Sequence, residues 1–171
     1  FFGWHTLSRL AIAQMRQQKK GRIIQNSSVL GFAPLKFRGA YNATKFALEG
    51  LTDTMRLELN QTNIHLALVE PGPIRTRIRE NAYLQFKRWI TWKGTARESW
   101  YENVGIPRLS AINPPPDTFE LMPNAVTKAV MHAATAPRPK LRYRVTTATT
   151  LMMIFRRLLS SRAYDAMARR L

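Results

Sequence analysis

Residues 64–70 read Ile-His-Leu-Ala-Leu-Val-Glu and run directly into Pro71-Gly72-Pro73. An apolar run interrupted only by His65 leaves no face for water, so Ile64 to Val69 is predicted to be a strand inside a parallel sheet covered on both sides. Parallel neighbours need crossover connections, usually helices. The preceding sequence supplies them. Gly3 to Lys20 reads as an amphipathic helix with Leu7, Leu10, Ile12, Ala13 and Met15 toward one side, stopped by Gly21. Arg22 to Ser27 reads as a strand, Val29 to Arg38 as a loop with Gly31 and Pro34, and Gly39 to about Asn60 as a long helix. The order helix, strand, helix, strand predicts an open, doubly wound α/β fold.

Three polar residues stand where such a fold gathers ligands. Tyr41 and Lys45 are four residues apart in Tyr41-Asn42-Ala43-Thr44-Lys45, and Ser28 lies thirteen residues upstream of Tyr41. Residues at i and i+4 share a helix face. An ammonium one turn from a phenol favours the phenolate, which suits proton exchange with an alcohol or carbonyl oxygen. Ser28 and the Pro71–Thr76 turn both follow strands, and open α/β sheets bind ligands at the carboxyl ends of their strands. Two strand ends and one helix face are therefore expected to converge on one crevice.

These residues carry a resemblance. Asn26-Ser27-Ser28-Val29, then Tyr41 through Leu51 (Tyr-Asn-Ala-Thr-Lys-Phe-Ala-Leu-Glu-Gly-Leu), then Pro71-Gly72-Pro73-Ile74-Arg75-Thr76 resemble the short-chain dehydrogenase/reductases, NAD(P)-dependent oxidoreductases with a Rossmann fold. The likeness spans Phe1 to about Ile78 and is greatest to the hydroxysteroid- and retinol-dehydrogenase-like branch. It implies that Tyr41 is the general acid/base and that Lys45 binds the nicotinamide ribose and favours the Tyr41 phenolate. It implies that Ser28 polarises the substrate carbonyl, with Ser27 left as a structural hydroxyl. The Pro71-Gly72 turn would pass the nicotinamide, with the Ile74 backbone and Thr76 hydroxyl near its carboxamide. Thr76 could equally cap the helix that follows. NAD or NADP is the implied cofactor, and interconversion of an alcohol with a ketone or aldehyde the implied reaction.

The family opens with a strand, a Gly-rich turn and a helix N-terminus that grip the dinucleotide pyrophosphate. No Gly-x-x-x-Gly-x-Gly or Gly-x-Gly-x-x-Gly run occurs in the 171 residues, and Phe1-Phe2-Gly3 supplies only the tail of the family's Asn-x-x-Gly pattern. The chain is therefore expected to be the C-terminal portion of a Rossmann-like, doubly wound parallel sheet without its dinucleotide-binding half, inactive in isolation. Arg22 to Ser27 would then present an open strand edge. The family often dimerises through the first helix and the Tyr41 helix. Leu48, Leu51, Met55 and Leu59 fit that arrangement or packing onto the sheet.

The expected divisions are a catalytic part over 1–76, a substrate lid over 77–118 and a C-terminal region over 119–171. Thr76 to about Pro116 is the least regular stretch and holds Tyr83, Phe86, Trp89, Trp92, Trp100 and Tyr101. Such aromatics either close over a bulky apolar substrate or pack the segment itself. Pro123 to about Ala134 reads as a helix, Leu141 to Val145 as an edge strand with one wet face, and Thr150 to Leu171 as a helical tail.

Charge supplies an alternative reading. Lys and Arg total 27 against 10 Asp and Glu, a net of +17. Nine cations after Pro137 face the single acid Asp165. A basic peripheral membrane or anion-binding module is thus the competing function, with Leu151, Ile154, Phe155, Leu158 and Leu159 as an apolar stripe beside the arginines. Aromatics do not interleave with the basic residues as in a base-stacking sheet, so no nucleic-acid partner is assigned. Cysteine is absent, which excludes disulfides and thiolate metal sites and is compatible with a reducing cytoplasm. His5, His65 and His132 lack metal-ligand spacing, and no metal is assigned. Glu70, at a strand end, is expected to be solvated.

Overall fold

The computed structural model describes residues 1–170. Helix α1 (Phe2–Gln17) leads into strand β1 (Gly21–Asn26), and a short 3-10 turn (Val29–Gly31) precedes helix α2 (Gly39–Glu58) and strand β2 (Ile64–Glu70). Helix α3 (Ile78–Trp89), the short helical segments α4 (Glu98–Trp100) and α5 (Ile106–Ser110) with a π-helical turn between them, and helix α6 (Asn124–Thr135) follow. Strand β3 (Arg142–Arg144) and helices α7 (Thr147–Leu158) and α8 (Ser161–Ala168) complete the chain order.

The strands form one parallel sheet in the order β1-β2-β3. β2 is central, and its residues sort by pleat. Ile64 and Leu66 meet Met55 and Leu59 of α2, with Ile12 and Met15 of α1 beside them. Ala67 and Val69 turn to the other face, against Ala133 of α6 and Tyr143 of β3. Leu68 and Val69 are fully buried. A strand sandwiched in this way must be almost wholly apolar, as the run from Ile64 to Val69 is apart from the partly exposed His65.

Leu48, Met55 and Leu59 are buried on the sheet side of α2, so they serve core packing and not an outward face. Two side chains fasten β1 to both helical layers. Gln25 donates to the Ser8 hydroxyl of α1 at 2.8 Å, and Arg22 donates to the Ala133 and Ala136 carbonyl oxygens at 2.8 and 2.6 Å. The latter places a cation at the C-terminus of α6, where the helix dipole favours it.

The chain divides into two units, residues 1–74 with 118 onward, and residues 75–117. Within the first, Ile74 bridges Leu121, so the chain returns to the point it left. In the second unit, the stretch expected to be least regular instead contains the twelve-residue helix α3. Its Phe86 is buried against Trp92 and Tyr101, with ring centroids 5.2 and 5.6 Å apart. Arg79 and Arg108 both pair with Asp117, closing the unit on itself. The helical tail is also divided: Ser160 ends the run and its hydroxyl accepts from Ala163 N, capping α8.

Candidate active site

The site is built where β1 and β2 end. Backbone pairing continues past both strands, with Ser27 N donating to the Val69 carbonyl oxygen and Val29 N to the Pro71 carbonyl oxygen, each at 2.8 Å. Ser28 is thus held between two hydrogen-bonded neighbours. Its backbone is extended, and its Oγ accepts from Leu30 N at 3.1 Å, capping the 3-10 turn. With the oxygen so engaged, the hydroxyl proton can point outward to a ligand oxygen.

Tyr41 and Lys45 occupy the first two turns of α2. The Lys45 ammonium lies 5.7 Å from the Tyr41 ring centroid and 4.4 Å from that of Trp4. It donates to the Asn26 carbonyl oxygen at 2.8 Å, two residues before Ser28. Lys45 is 5% exposed whereas Tyr41 is 42% exposed, so a buried cation sits beneath an accessible phenol. Burial pulls the Lys45 pKa down, and the Glu49 carboxylate one turn onward partly restores it.

Pro71, Gly72 and Ile74 lie in the same unit. A Cβ at Gly72 would overlap the hydroxyls of Thr146 and Thr149, both buried, so this turn needs a glycine for close approach. Thr76 lies in the unit of residues 75–117. Its hydroxyl accepts from Ile78 N at 3.3 Å at the start of α3. Ser27 is buried, with its hydroxyl beside the Glu49 carboxyl.

Behind these residues lies a charge cluster that the sequence did not disclose. Glu70 is 1% exposed, which corrects the expectation of a solvated carboxylate. Arg142 reaches Glu49 at 3.1 Å, Asp53 at 2.7 Å and Glu70 at 3.4 Å, and Arg144 stands 3.7 Å from Glu70. Burial pushes the Glu70 carboxyl up to about 7, with Glu49 adding to the rise and Arg142 and Arg144 opposing it. Glu49 is likewise raised, chiefly by burial. The spacing of Lys45 and Glu49 at i and i+4 was the one signal for Glu49; nothing in the sequence points to Trp4.

A family profile described as short chain dehydrogenase matches residues 1–85, the span that supplies Ser28, Tyr41, Lys45 and the Pro71-Gly72 turn. The chain belongs to the short-chain dehydrogenase/reductase family. Among curated relatives, the YbbO oxidoreductase of Escherichia coli (strain K12) is 38% identical over 165 residues, covering 96% of this chain and 54% of YbbO. Retinol dehydrogenase 8 of Bos taurus is 30% identical over 152 residues, covering 88% of this chain and 47% of the relative. The chain spans about half the length of these relatives. A short-chain dehydrogenase of Burkholderia cenocepacia J2315, solved in complex with NADP, superposes over 100% of this chain and 56% of its own, with a TM-score of 0.66 and 19% identity. The parallel sheet is thus the sheet of this dehydrogenase family, as the resemblance implied.

Among the described residues, no group of three His, Cys, Asp or Glu side chains is arranged to hold a metal, and no helix is long and apolar enough to cross a membrane.

Proposed function

We propose that this chain carries the proton-transfer part of an NAD(P)-dependent oxidoreductase that interconverts an apolar alcohol with its ketone or aldehyde. The observation behind this reading is the buried Lys45 ammonium, anchored to the Asn26 carbonyl beneath the exposed Tyr41 phenol. Family membership and the NADP complex of the Burkholderia relative support the cofactor.

The residues present fit the nicotinamide end of a dinucleotide. Lys45 uses one of its three N–H donors on Asn26 and has no other acceptor among the described residues, so two remain for ribose hydroxyls. Pro71, Gly72 and the Ile74 backbone would border the nicotinamide, and the Thr76 hydroxyl its carboxamide. When bound, the nicotinamide gives or takes hydride at the substrate carbon. The Ser28 hydroxyl donates to the substrate oxygen and fixes its direction. The Tyr41 phenol delivers a proton to that oxygen in reduction and removes it in oxidation, while the Lys45 ammonium steadies the phenolate. Residues 77–118 would act as the lid that keeps water from an apolar substrate.

The test is nicotinamide-dependent turnover of a panel of apolar alcohols and aldehydes, run on the 171-residue chain and on the polypeptide extended upstream to the relatives' length. Tyr41→Phe in the extended form is expected to abolish turnover while dinucleotide binding, followed by fluorescence, persists. Turnover retained by Tyr41→Phe would overturn the assignment.

A further inference from the structure

Helices α7 and α8 carry features that the proposed chemistry does not use. On α7, Leu151, Ile154, Phe155 and Leu158 fall on one stripe at helical spacing. Three of the four are open to solvent: Ile154 at 38%, Phe155 at 37% and Leu158 at 78%. A stripe of this kind on a terminal helix ordinarily turns inward. Here the buried side of α7 is set by Thr149, which seats against Gly72 with Thr146, and the apolar stripe is left outside.

The charges around the stripe are of one sign. Arg156, Arg157, Arg162, Arg169 and Arg170 are all exposed, and none has a carboxylate partner among the described residues. The only acid on either helix is Asp165. By contrast Arg22, Arg56, Arg77, Arg79, Arg108, Arg142 and Arg144 each bind a carbonyl or a carboxylate. Five arginines without a carboxylate partner and an exposed leucine thus lie on α7, on α8 or directly after it.

The pair is firmly seated. Tyr164 of α8 is buried, its hydroxyl donates to the Pro34 carbonyl oxygen at 3.3 Å, and the Arg156 guanidinium lies 5.2 Å from its ring centroid. Lys36 donates to the Arg169 carbonyl oxygen at 3.0 Å and adds another cation to this side. Docking therefore requires no rearrangement of the helices.

We propose that α7 and α8 dock this protein on an anionic lipid bilayer, with Ile154, Phe155 and Leu158 entering the headgroup layer and the arginines lying against lipid phosphates. An amphipathic helix with a cationic polar face binds by apolar burial and electrostatic attraction together. A nucleic acid would satisfy the arginines but would leave the apolar stripe in water, so the bilayer accounts for both features. The proposal is independent of the redox reading, because none of these residues touches Ser28, Tyr41 or Lys45.

The experiment is co-sedimentation of the protein with phosphatidylcholine vesicles and with vesicles holding about one third phosphatidylserine. Binding to the anionic vesicles is expected to be about tenfold tighter or more, and to weaken in high salt. Leu158→Asp, at an exposed position, and Arg157→Glu with Arg162→Glu should each lower it by about tenfold. Arg9→Glu with Arg16→Glu on α1 makes the same change in net charge and should leave binding within about twofold. Circular dichroism confirms that each variant is folded. Three results would overturn the proposal: no preference for phosphatidylserine, an equal loss from the α1 pair, or binding that ignores Leu158→Asp and is abolished by duplex DNA as competitor.

Discussion

The Lys45 ammonium donates to the Asn26 carbonyl oxygen at 2.8 Å, which ties the helix bearing Tyr41 to the end of β1 just before Ser28. The bond fixes the axial position of α2 against the sheet and holds a cation where water has little access. Lys45→Met keeps the length and apolar stem of the side chain and removes the ammonium, both its charge and its bond to Asn26. Turnover in the extended polypeptide should fall on the order of 100-fold or more, the scale of general acid/base assistance. Because the variant also relieves the desolvation that depresses the Lys45 pKa, the melting temperature should change little. A large fall in melting temperature with turnover preserved per folded molecule would show Lys45 to be structural.

The Ser28 hydroxyl caps a turn, and in the proposed reaction it also donates to the substrate oxygen; the two roles can be separated. Its oxygen caps the 3-10 turn by accepting from Leu30 N. Ser28→Ala loses that cap, at a cost of about 1 kcal/mol, and also removes the proposed donor to the substrate oxygen. Ser28→Asn or Ser28→Asp keeps a capping acceptor, but in a longer side chain. Stability should be nearer wild type in these two than in Ser28→Ala, while turnover stays low in all three. Thermal melts and initial rates on the same preparations decide it.

Gly72 meets the C-terminal region at close range, because a Cβ there would overlap the Thr146 and Thr149 hydroxyls. Thr146 cannot retreat easily, since its Oγ1 accepts from Thr149 N at 3.2 Å and caps α7. Gly72→Ala should therefore destabilise by about 1–3 kcal/mol, as overpacking of a tight interior does. Urea unfolding is the measurement, and an unchanged midpoint would mean that α7 shifts freely.

The part of the fold that holds Ser28, Tyr41 and Lys45 was legible because each signal had a local physical origin. The apolar run at Ile64–Val69 reports burial on both faces of β2, and the Tyr41–Lys45 spacing reports one helix face. Charge partners were not legible, because they depend on strand neighbours far apart in sequence. Arg142 looks like one wet position of an alternating edge strand, yet it lies half-buried over Glu49, Asp53 and Glu70. A helix after Thr76 was legible but its extent over 78–89 was not, because the aromatics and arginines of that stretch mask a weak period, and only Phe86 of α3 is buried. The break at Ser160 was hidden by an apolar stripe that reads through to Leu159, where the capping hydroxyl was the available clue.

Glu70 sits at the end of β2 with both carboxylate oxygens buried and lacking a hydrogen-bonded partner, although Arg142 and Arg144 stand 3.4 and 3.7 Å away. Burial, with the negative charge of Glu49, raises its pKa to about 7, against 4.5 in an ordinary setting. Between those two values the folded protein holds a proton that the unfolded chain has released. The stability contributed by that proton is fully present below about 4.5 and is lost as pH rises through about 7. The loss is on the order of 3 kcal/mol. Glu49 is shifted in the same direction and adds to the slope. Glu70→Gln, neutral at every pH, should match wild type near pH 5 and exceed it near pH 8, flattening the profile between. Arg142 keeps Glu49 and Asp53 as partners in that variant, so it is not left uncompensated. Denaturant midpoints across this pH range test the account. A variant that is several kcal/mol weaker than wild type near pH 8 would mean that Glu70 is ionised in the fold and that its pairing with Arg142 outweighs burial.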